Sequence, residues 1–503
     1  MSAPSDRREF LQSSALSVGG LGFLDALPAV ARDDAKLDPK LVRLDSGIEP
    51  LVRLIEETPR EKLLEEVGDR IKKGLAYRDV LAALLLAGVR NVKPRPNVGF
   101  KFHAVMVVNS AHQAALAGPD KERWLPLFWA LDNFKGAQAT NVKETGGWRM
   151  GPVDEANVPP ARKAKAAFAQ AMTDWDEAKA DVAAAALARH CADAEAFDLF
   201  ACFGCRDFRD IGHKAIFVAG AFRTLQVIGW HHAEPVLRSL AFALLKHDGN
   251  GKPAGDQPAD AVGVRNAELA RKLGAGWRDG TATEGGTLDL LAAIRQGTFA
   301  EVSDKVVSLV SGGTSPRAVW DAVFLGAGEL LMRQPGIVGL HTLTTANALR
   351  YAFGATGDDD TRKVLMLQAA AFLPMFLSGM RDRGKVGDAD ITTLAADGAK
   401  TDHAPEHVFA VLTKDKPQAA QLAVRYLKNN PAGRQHLIDA GRRLIFLKGT
   451  DSHDYKFSAA VMEDVAHVSE AWRDRFLAAS LFWLKGSGAA DAATVKRTRA
   501  ALA

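Results

Sequence analysis

The stretch FRDIGHKAIFVAGAFRTLQVIGW, residues 208–230, carries the pattern that decides the fold of this chain. Its apolar residues recur every three or four positions rather than at alternate positions, which is typical of a helix packed against a core. The stretch also contains His213, an imidazole within an apolar segment where a solvated side chain would be out of place. Because a buried polar group needs a partner, the segment predicts a buried helix and a histidine with a specific role.

The same spacing recurs along most of the chain. Alanine and leucine dominate these segments, and β-branched runs bounded by turn residues are nearly absent. We therefore predict an all-α fold, a single compact array of many helices. HEAT-like helix pairs are one arrangement of such an array, although no fixed repeat period occurs. Further helices are predicted at residues 61–73, 77–90, 103–116, 160–190, 232–246, 319–333, 341–353, 361–379, 417–429, 433–447 and 458–483.

Three more histidines lie in comparable segments: His103 in GFKFHAVMVVNSAH, His341 in GIVGLHTLTTANALRYA and His453 in DSHDYKFSAAVMED. Imidazole is the commonest metal ligand among side chains. A single such histidine is usually a hydrogen-bonded core residue, but four of them predict a buried metal centre assembled by the fold. His112 follows His103 by nine positions, on the opposite face of a helix, so only His103 is expected at this centre.

Two charged residues precede His213 in the predicted helix. Asp210 and Arg209 lie three and four residues before it, on the same helix face. A carboxylate beside a ligating histidine fixes its tautomer and raises its basicity, so we assign this catalytic support to Asp210, with Arg209 orienting the same group. A surface ion pair is the alternative. His231 and His232 lie roughly 27 Å further along a straight helix, too far to share the ion.

His341 is predicted to begin a helix after the break at Pro335 and Gly336. Polar residues, among them Thr344 and Asn347, follow it within an otherwise apolar sequence, which indicates the wall of a cavity. A histidine that caps the helix N-terminus is the alternative.

Lys456 lies one helical turn after His453. An ammonium within about 4 Å of a divalent ion costs several kcal/mol, so this lysine would be neutral through desolvation, carbamylated by CO₂ into an anionic oxygen ligand, or turned away. We predict Lys456 to be a fifth ligand or a catalytic base beside the ion. A solvated charge cluster with Asp451 and Asp454 is the alternative.

Three segments interrupt the helical pattern, at residues 135–160, 247–286 and 381–404. They are rich in glycine together with proline, asparagine or aspartate, and the second contains one short helical patch, Asn266–Leu273. Because the four histidines lie on both sides of all three segments, we predict long surface loops within one domain rather than linkers between domains.

The N-terminus has the features of an export signal. Arg7 and Arg8 precede Phe10 and Leu11, a weakly apolar stretch follows, and Ala29-Val30-Ala31 supplies a cleavage site. This pattern predicts a twin-arginine leader over residues 1–31, export by the Tat machinery and a periplasmic or exported mature domain over residues 32–503. A basic first helix is the alternative.

Composition excludes several classes of protein. The net charge of +4 is small and dispersed, with no basic stripe interleaved with aromatic residues, so nucleic acid is not an expected partner. The longest apolar runs after the leader, residues 80–89 and 369–377, fall short of the roughly 20 residues of a membrane span. The three cysteines, Cys191, Cys202 and Cys205, read best as small buried hydrophobes, with a disulfide or a metal site as alternatives.

The order of these motifs resembles the questin oxidase-like family. The similar segments are FHAVMVVNSAHQAALAGPD at 102–120, RDIGHKAIFVAG at 209–220, HTLTT at 341–345 and DSHDYK at 451–456, with Arg209 standing where the family often has a histidine. The resemblance implies a non-haem oxygenase that acts on aromatic polyketides with O₂ through Baeyer–Villiger-like or ring-opening chemistry.

The resulting hypothesis is an exported, metal-dependent oxygenase with a small-molecule substrate. His103, His213, His341 and His453 would hold Fe(II), although imidazole also suits zinc and copper. Two alternatives remain at this point: a metal-free helical-repeat scaffold that presents a concave face to a partner, and a zinc hydrolase.

Overall fold

The computed structural model describes residues 38–95, 100–246, 257–394 and 404–503, so the predicted leader lies outside the described residues. Within these ranges the chain forms 22 α-helices joined by loops and short 3-10 turns, and β-type pairing is limited to one isolated bridge between Thr281 and Thr314. The all-α prediction is confirmed.

In chain order the first eleven helices are α1 Glu49–Glu57, α2 Arg60–Lys72, α3 Tyr77–Asn91, α4 His103–Leu116, α5 Leu125–Thr145, α6 Ala164–Asp174, α7 Glu177–His190, α8 Asp193–Gly204, α9 His213–Ile228, α10 Ala233–Leu244 and α11 Pro258–Ala270. The remaining eleven are α12 Glu284–Gln296, α13 Phe299–Ser311, α14 Pro316–Arg333, α15 Ile337–Ala355, α16 Asp359–Arg381, α17 Pro405–Leu412, α18 Lys416–Asn429, α19 Arg434–Lys448, α20 Ser452–Asp464, α21 Glu470–Ser480 and α22 Ala493–Leu502.

Many of these helices begin where a side chain can satisfy a free backbone N–H group. Thr298 accepts from the N–H of Glu301 at the start of α13, and the Glu301 carboxylate accepts in return from the N–H of Thr298. Aspartate caps α7, α16, α18 and α20 in a similar way. Because the first N–H groups of a helix have no partner within it, these caps fix where the helices start.

Two of the predicted helices are each broken into two. The predicted segment 160–190 forms α6 and α7, separated at Trp175, whose φ of 55° lies in the left-handed region. The predicted segment 458–483 forms the end of α20 and then α21. In both places the apolar spacing continues across a short turn, so periodicity alone does not reveal the break.

Two of the predicted loops contain helices. The first loop prediction is wrong at its start, because α5 continues from Leu125 to Thr145. The second contains α11 and the beginning of α12. Small and polar residues are frequent in the parts of these helices that lie within the predicted loops, which is why those parts read as loops in the sequence.

Four helices from distant parts of the chain form the unit that carries the predicted histidines. α4 packs on α20, α20 on α15, α15 on α9 and α9 on α4, which closes a ring of neighbouring helices. Their central residues are apolar and buried, for example Val105, Phe217, Leu343 and Phe457. The ring brings together segments that are more than a hundred residues apart in sequence.

The remaining helices surround this unit and share one contiguous hydrophobic core, which runs from Ile48 to Ala501. The last helix, α22, packs on α2, so the C-terminal part of the chain lies against the beginning of the described part. One helix, α16, is long and apolar enough to cross a membrane by length and composition, and 72% of its apolar window is buried inside the protein.

Candidate metal centre

The four predicted histidines come together in one cluster. One ring nitrogen from each of His103, His213, His341 and His453 lies within 4.8 Å of those of the others. His213 is central, because its Nε2 is 2.9 Å from the Nε2 of His103 and 2.9 Å from the Nε2 of His341. The His453 ring is 4.4 Å from the His103 ring, measured between centroids. The predicted convergence of the four imidazoles is confirmed.

Each histidine lies in the first turns of its helix. His103 and His213 are the first residues of α4 and α9, His453 is the second residue of α20, and His341 lies one turn into α15. Four helix N-termini therefore converge on the cluster. Since a helix N-terminus carries a partial positive charge, it favours neutral imidazole over imidazolium and favours anions nearby.

In three of the four histidines, the ring nitrogen that faces away from the cluster is bonded to an oxygen atom. The Nδ1–H of His341 donates to the carbonyl of Ile337 at 2.6 Å, and the Nδ1–H of His453 donates to Oδ1 of Asp451 at 2.5 Å. The ring of His213 donates to the backbone carbonyl of Asp210. These bonds fix the tautomer that leaves Nε2 without a proton in three of the four rings, which is how ligating histidines are usually held.

Burial keeps these rings neutral. It is the main cause that lowers the pKa of His103 and His213, and the charge of Lys456 is the next. Burial also lowers the pKa of His341, which is 0% exposed, and the pKa of His453. Neutral imidazoles whose lone pairs face one another form a donor set suited to a transition-metal cation.

Two observations test whether this donor set fits a metal. Adjacent nitrogens are 2.9 Å apart, close to the roughly 3.0 Å that separates two ligands at a right angle when metal–nitrogen bonds are about 2.1 Å long. In addition, Nε2 of His453 is buried and has no hydrogen-bond partner among the described residues. The cluster therefore fits a metal ion, while the identity of the metal is not given by these contacts.

Lys456 is buried beside the cluster and is 3% exposed. Its amine has no hydrogen-bond partner among the described residues, and burial lowers its pKa to about 7. It lines a second, small cavity of about 30 Å³ between α4, α9, α15 and α20, away from the open side of the cluster. The alternative of a solvated charge cluster is therefore wrong for Lys456.

Asp210 and Arg209 are not placed as predicted. The chain before His213 is not helical: Asp210, Ile211 and Gly212 all have positive φ, of 54°, 46° and 86°. The Asp210 carboxylate consequently pairs with Lys246, and only its backbone carbonyl reaches His213. Arg209 is buried in a two-bond ion pair with Asp260 instead of orienting His213. The predicted shared helix face is wrong because α9 begins only at His213, after both residues.

This left-handed turn is held in place by its neighbours. Lys214 binds Asp207 at 2.7 Å and the carbonyl of Lys246 at 2.8 Å. A Cβ on Gly212 would lie only 2.0 Å from Oγ1 of Thr345, so no other residue fits there. The turn aims the His213 ring at the cluster and places Ile211 beside it.

Asp451 is the carboxylate that bonds a histidine of the cluster, and the sequence analysis did not assign it this role. It bonds Nδ1 of His453 and also caps α20 by accepting from the backbone N–H of His453. The hydrogen bond from His453 is the main reason that the pKa of Asp451 falls to about 2. The pattern Asp451-x-x-Asp454, an acidic residue at the N-cap and another at the third helical position, was a signal for the cap but not for the bond to the His453 ring.

A cavity of about 710 Å³ opens onto the cluster, and three of its walls differ in chemistry. Small and polar residues of α5 form one wall, the apolar side chains of Ile211 and Ile337 contribute to another, and charged groups surround the opening. Its lining residues include Arg60, Lys101, Asn133, Gly136, Ala137, Thr140, Asp210, Ile211, Ile337, Arg383 and Asp451 together with the four histidines. The lining residues of α5 were not predicted, because that helix was read in part as a loop.

The other singled-out residues lie elsewhere. His112 contacts Tyr77, with 3.3 Å between Nδ1 and the hydroxyl, and is not part of the cluster. His231 and His232 line a separate cavity of about 460 Å³. Cys191, Cys202 and Cys205 are free thiols, and the four-histidine group is the metal-type cluster found among the described residues.

Comparison of the chain with protein-family models, with curated protein sequences and with solved structures gives no match. The resemblance to the questin oxidase-like family therefore stays a prediction from the motifs.

Proposed function

We propose that this protein is a non-haem, metal-dependent oxygenase whose metal is iron(II), bound by His103, His213, His341 and His453. One observation supports the metal above all. The Nε2 atoms of His213 and His341 are 2.9 Å apart, although both rings donate through their other nitrogen and therefore direct lone pairs at each other. Two such lone pairs repel unless a cation lies between them.

The chemistry that iron(II) supplies in such a site is activation of O₂. The residues of this chain would supply the rest. Asp451, Ile337 and Asp210 hold three of the imidazoles in one tautomer, the first through its carboxylate and the other two through their backbone carbonyls. The cavity beside the histidines would hold an organic substrate and exclude water from it.

Lys456 has two roles in this proposal that its burial supports. As a neutral amine it can accept a proton next to the site, and the ammonium so formed can return it, since the pKa of about 7 lies near physiological pH. After reaction with CO₂ it would instead offer a carbamate oxygen as a fifth ligand, with release of one proton. This anionic oxygen would offset part of the positive charge of the metal, which four neutral imidazoles leave unbalanced.

The substrate class follows from the sequence resemblance and from the size of the cavity. We propose an aromatic or polyketide-type small molecule, oxidised by Baeyer–Villiger-like or ring-opening chemistry. We also propose that the chain is exported by the Tat machinery through a leader at residues 1–31.

Element analysis of the untagged, folded protein tests the metal. We expect about one transition-metal atom per chain after dialysis, and the same content in His112→Ala, whose histidine lies outside the cluster. Iron-loaded protein is then incubated with phenolic aromatic compounds and isotopically labelled O₂, with consumption of O₂ and label in the product as the expected result. Zinc without O₂ consumption would favour a hydrolase, and absence of any metal would favour a scaffold.

A further inference from the structure

The histidine cluster separates two cavities. The larger one, of about 710 Å³, is lined by all four histidines, whereas the small one, of about 30 Å³, is lined by residues that follow them on α4, α9, α15 and α20. In the described part of the chain, the two cavities share no lining residue. Lys456 belongs to the small cavity alone, so its side chain lies behind the histidines as seen from the larger cavity.

The small cavity follows the axis of the ring that these four helices form. Because the helices run away from the cluster, residues at equal distances after each histidine form successive layers. Three residues after the histidines lie Met106, Ile216, Thr344 and Lys456. Six or seven residues after them lie Asn109, Ser110, Ala219, Gly220, Asn347, Ala348 and Ala460, and ten residues after them lie Gln113 and Arg223. These layers extend over about 10 Å of helix, from Lys456 toward the far end of the ring.

Three buried polar groups on this cavity have no hydrogen-bond partner among the described residues. They are the amine of Lys456, the amide of Asn109 and the hydroxyl of Ser110, in residues that are 3%, 6% and 8% exposed. A polar group that is buried without a partner costs free energy, and such groups in proteins are commonly bonded to ordered water. Three of them on one cavity are an arrangement that can hold buried water.

The size and the lining of the cavity agree with water as its content. A water molecule needs roughly 10 to 15 Å³ of such space, so a volume of about 30 Å³ holds about two. Cavities that stay empty in proteins are lined by apolar side chains, whereas Thr344 and Asn347 add further polar groups to this one. Both are buried polar residues within the apolar helix α15, where the sequence indicates the wall of a cavity.

The outer end of the cavity lies at the surface of the protein. Gln113, Gly220 and Arg223 lie toward this end and are partly exposed, whereas Lys456 at the inner end is buried. Arg223 is held by two hydrogen bonds to the carboxylate of Glu463, at 2.8 and 2.9 Å. This ion pair fixes the position of the Arg223 side chain beside the opening.

Gly220 leaves space at this end that a larger residue would fill. It lies in the interior of α9, where alanine would be more stable than glycine. A Cβ at this position would meet the Cβ of Asn109 and the carbonyl oxygen of Met106 at 3.7 Å, which are ordinary contacts. Packing therefore does not require a glycine here, and a branched side chain would extend into the cavity.

We infer that water fills the axis of the four-helix ring and links the amine of Lys456 to the surface at Gln113 and Gly220. This axial route is a second way into the site, open to water and to neutral molecules of about the size of CO₂, and separate from the larger cavity. Under the proposed function, water and CO₂ would reach Lys456 by the axial route while a substrate fills the larger cavity. Only this use rests on the proposed function, because the route itself does not depend on a bound metal.

Reaction of Lys456 with cyanate in the full-length, metal-free protein tests the axial route. Cyanate in water supplies isocyanic acid, a neutral molecule about as large as CO₂. The amine of a lysine adds to its carbon and a proton moves to its nitrogen, so the product is a urea and no group leaves. Mass spectrometry of peptides measures the rate at Lys456 relative to the exposed Lys428. We expect Lys456 to react in the folded wild type.

Variants at Gly220 close the route at its outer end. Gly220→Val should lower the rate at Lys456 by at least about tenfold, because the amine is then reached only when the ring opens locally, and Gly220→Ala should lower it less. Gly379→Val is the matched control. Gly379 is also a partly exposed glycine inside a helix, it has open space around its Cβ position and it lines neither cavity. This control should leave the rate unchanged.

Two further variants identify the side from which the amine is reached. Asn109→Leu keeps the size of the side chain but removes its polar groups, so it should exclude water and lower the rate at Lys456. Gly136→Leu adds a side chain to the wall of the larger cavity and should leave this rate unchanged.

Two side effects of Gly220→Val would act against the expected result. A destabilised fold opens more often, which would raise the rate at Lys456. Loss of water around the amine would favour its neutral form, which is the form that reacts with isocyanic acid. A lower rate therefore reports closure of the route.

The outcomes separate this inference from the proposed function. An unreactive Lys456 in the wild type would overturn the axial route, and so would an unchanged rate in Gly220→Val or in Asn109→Leu. A rate that falls in Gly136→Leu instead would show that the amine is reached through the larger cavity. If the rates agree with expectation but element analysis finds no metal in the wild type, the route stands and the oxygenase proposal fails.

Discussion

His213 is the residue on which the cluster depends, because its Nε2 contacts the nitrogens of both His103 and His341. We expect His213→Ala to lose most of the bound metal, since the remaining imidazoles no longer share a neighbour. Asp210→Asn should keep the metal, because the Asp210 carboxylate bonds Lys246 and only the backbone carbonyl reaches His213. Element analysis of both variants measures this, and equal metal in wild type and His213→Ala would contradict the assignment.

Lys456 should make the stability of the metal-free protein depend on pH. Its pKa is about 7 in the folded protein and about 10.4 in an unfolded chain. Between these values the unfolded state binds more protons, so stability rises with pH, by up to about 1.4 kcal/mol per pH unit. Below pH 7 the destabilisation is complete. Lys456→Met should therefore be more stable at pH 7 and show a flatter rise.

Urea unfolding of metal-free protein at pH 7, 8 and 9 measures this dependence. Lys428→Met, which changes an exposed lysine, is the control and should follow the wild type. If the stability of Lys456→Met rises with pH as steeply as that of the wild type, the low pKa of Lys456 in the folded protein is contradicted.

The sequence identified the four histidines that cluster and the buried Lys456, because an imidazole in an apolar helix is conspicuous. It assigned the supporting carboxylate to Asp210, because spacing on a helix was extended through a turn that is not helical. Whether three successive residues adopt positive φ depends on tertiary contacts such as that of Gly212 with Thr345, and no local pattern reveals those. Asp451 was visible only as a helix cap.

At the scale of one element, Asp451 links the start of α20 to the cluster. It caps the helix and also bonds His453, so two substitutions can separate the two roles. Asp451→Ala should lose about 0.5 to 2 kcal/mol of stability and about 10- to 100-fold of metal affinity. Asp451→Ser can still cap, so it should keep most of the stability while losing a similar share of the metal affinity.

Thermal unfolding of metal-free protein and titration with cobalt measure these two effects independently. Asp415→Ser, which changes the capping aspartate of α18, is the matched control and should leave metal affinity unchanged. Retention of full metal affinity in Asp451→Ser would mean that the cap alone orients His453.

Helix positions were predictable in proportion to how apolar the helices are. The prediction for α4, residues 103–116, agrees with the structure at both ends. α5 was missed over much of its length, because its second half is filled with glycine, asparagine, lysine and threonine and has little apolar spacing. Part of this composition lines the cavity, because Gly136, Ala137 and Thr140 face it. A helix that departs from apolar spacing therefore lies at the candidate site.

At the scale of the whole molecule, the cluster joins four helices that are distant in sequence, so metal should stabilise the global fold. A ligand that binds only the folded state adds about 2.7 kcal/mol when it is present at 100 times its Kd. We expect Tm to rise on addition of cobalt and to fall again with a chelator. His213→Ala should show no such rise, whereas an equal rise in this variant would place the stabilising metal elsewhere.

The spacing of the four histidines along the chain has a consequence for how the protein would acquire a metal ion. His103 and His213 are 110 residues apart, and His213 and His341 are 128 apart. The set of four is complete only after His453 has been synthesised, so a metal site that needs all four histidines would form late. If the leader proposed for residues 1–31 directs export after folding, loading takes place in the cytoplasm. The cytoplasmic metal pool, rather than the pool of the compartment that receives the protein, would then decide which ion the histidines carry.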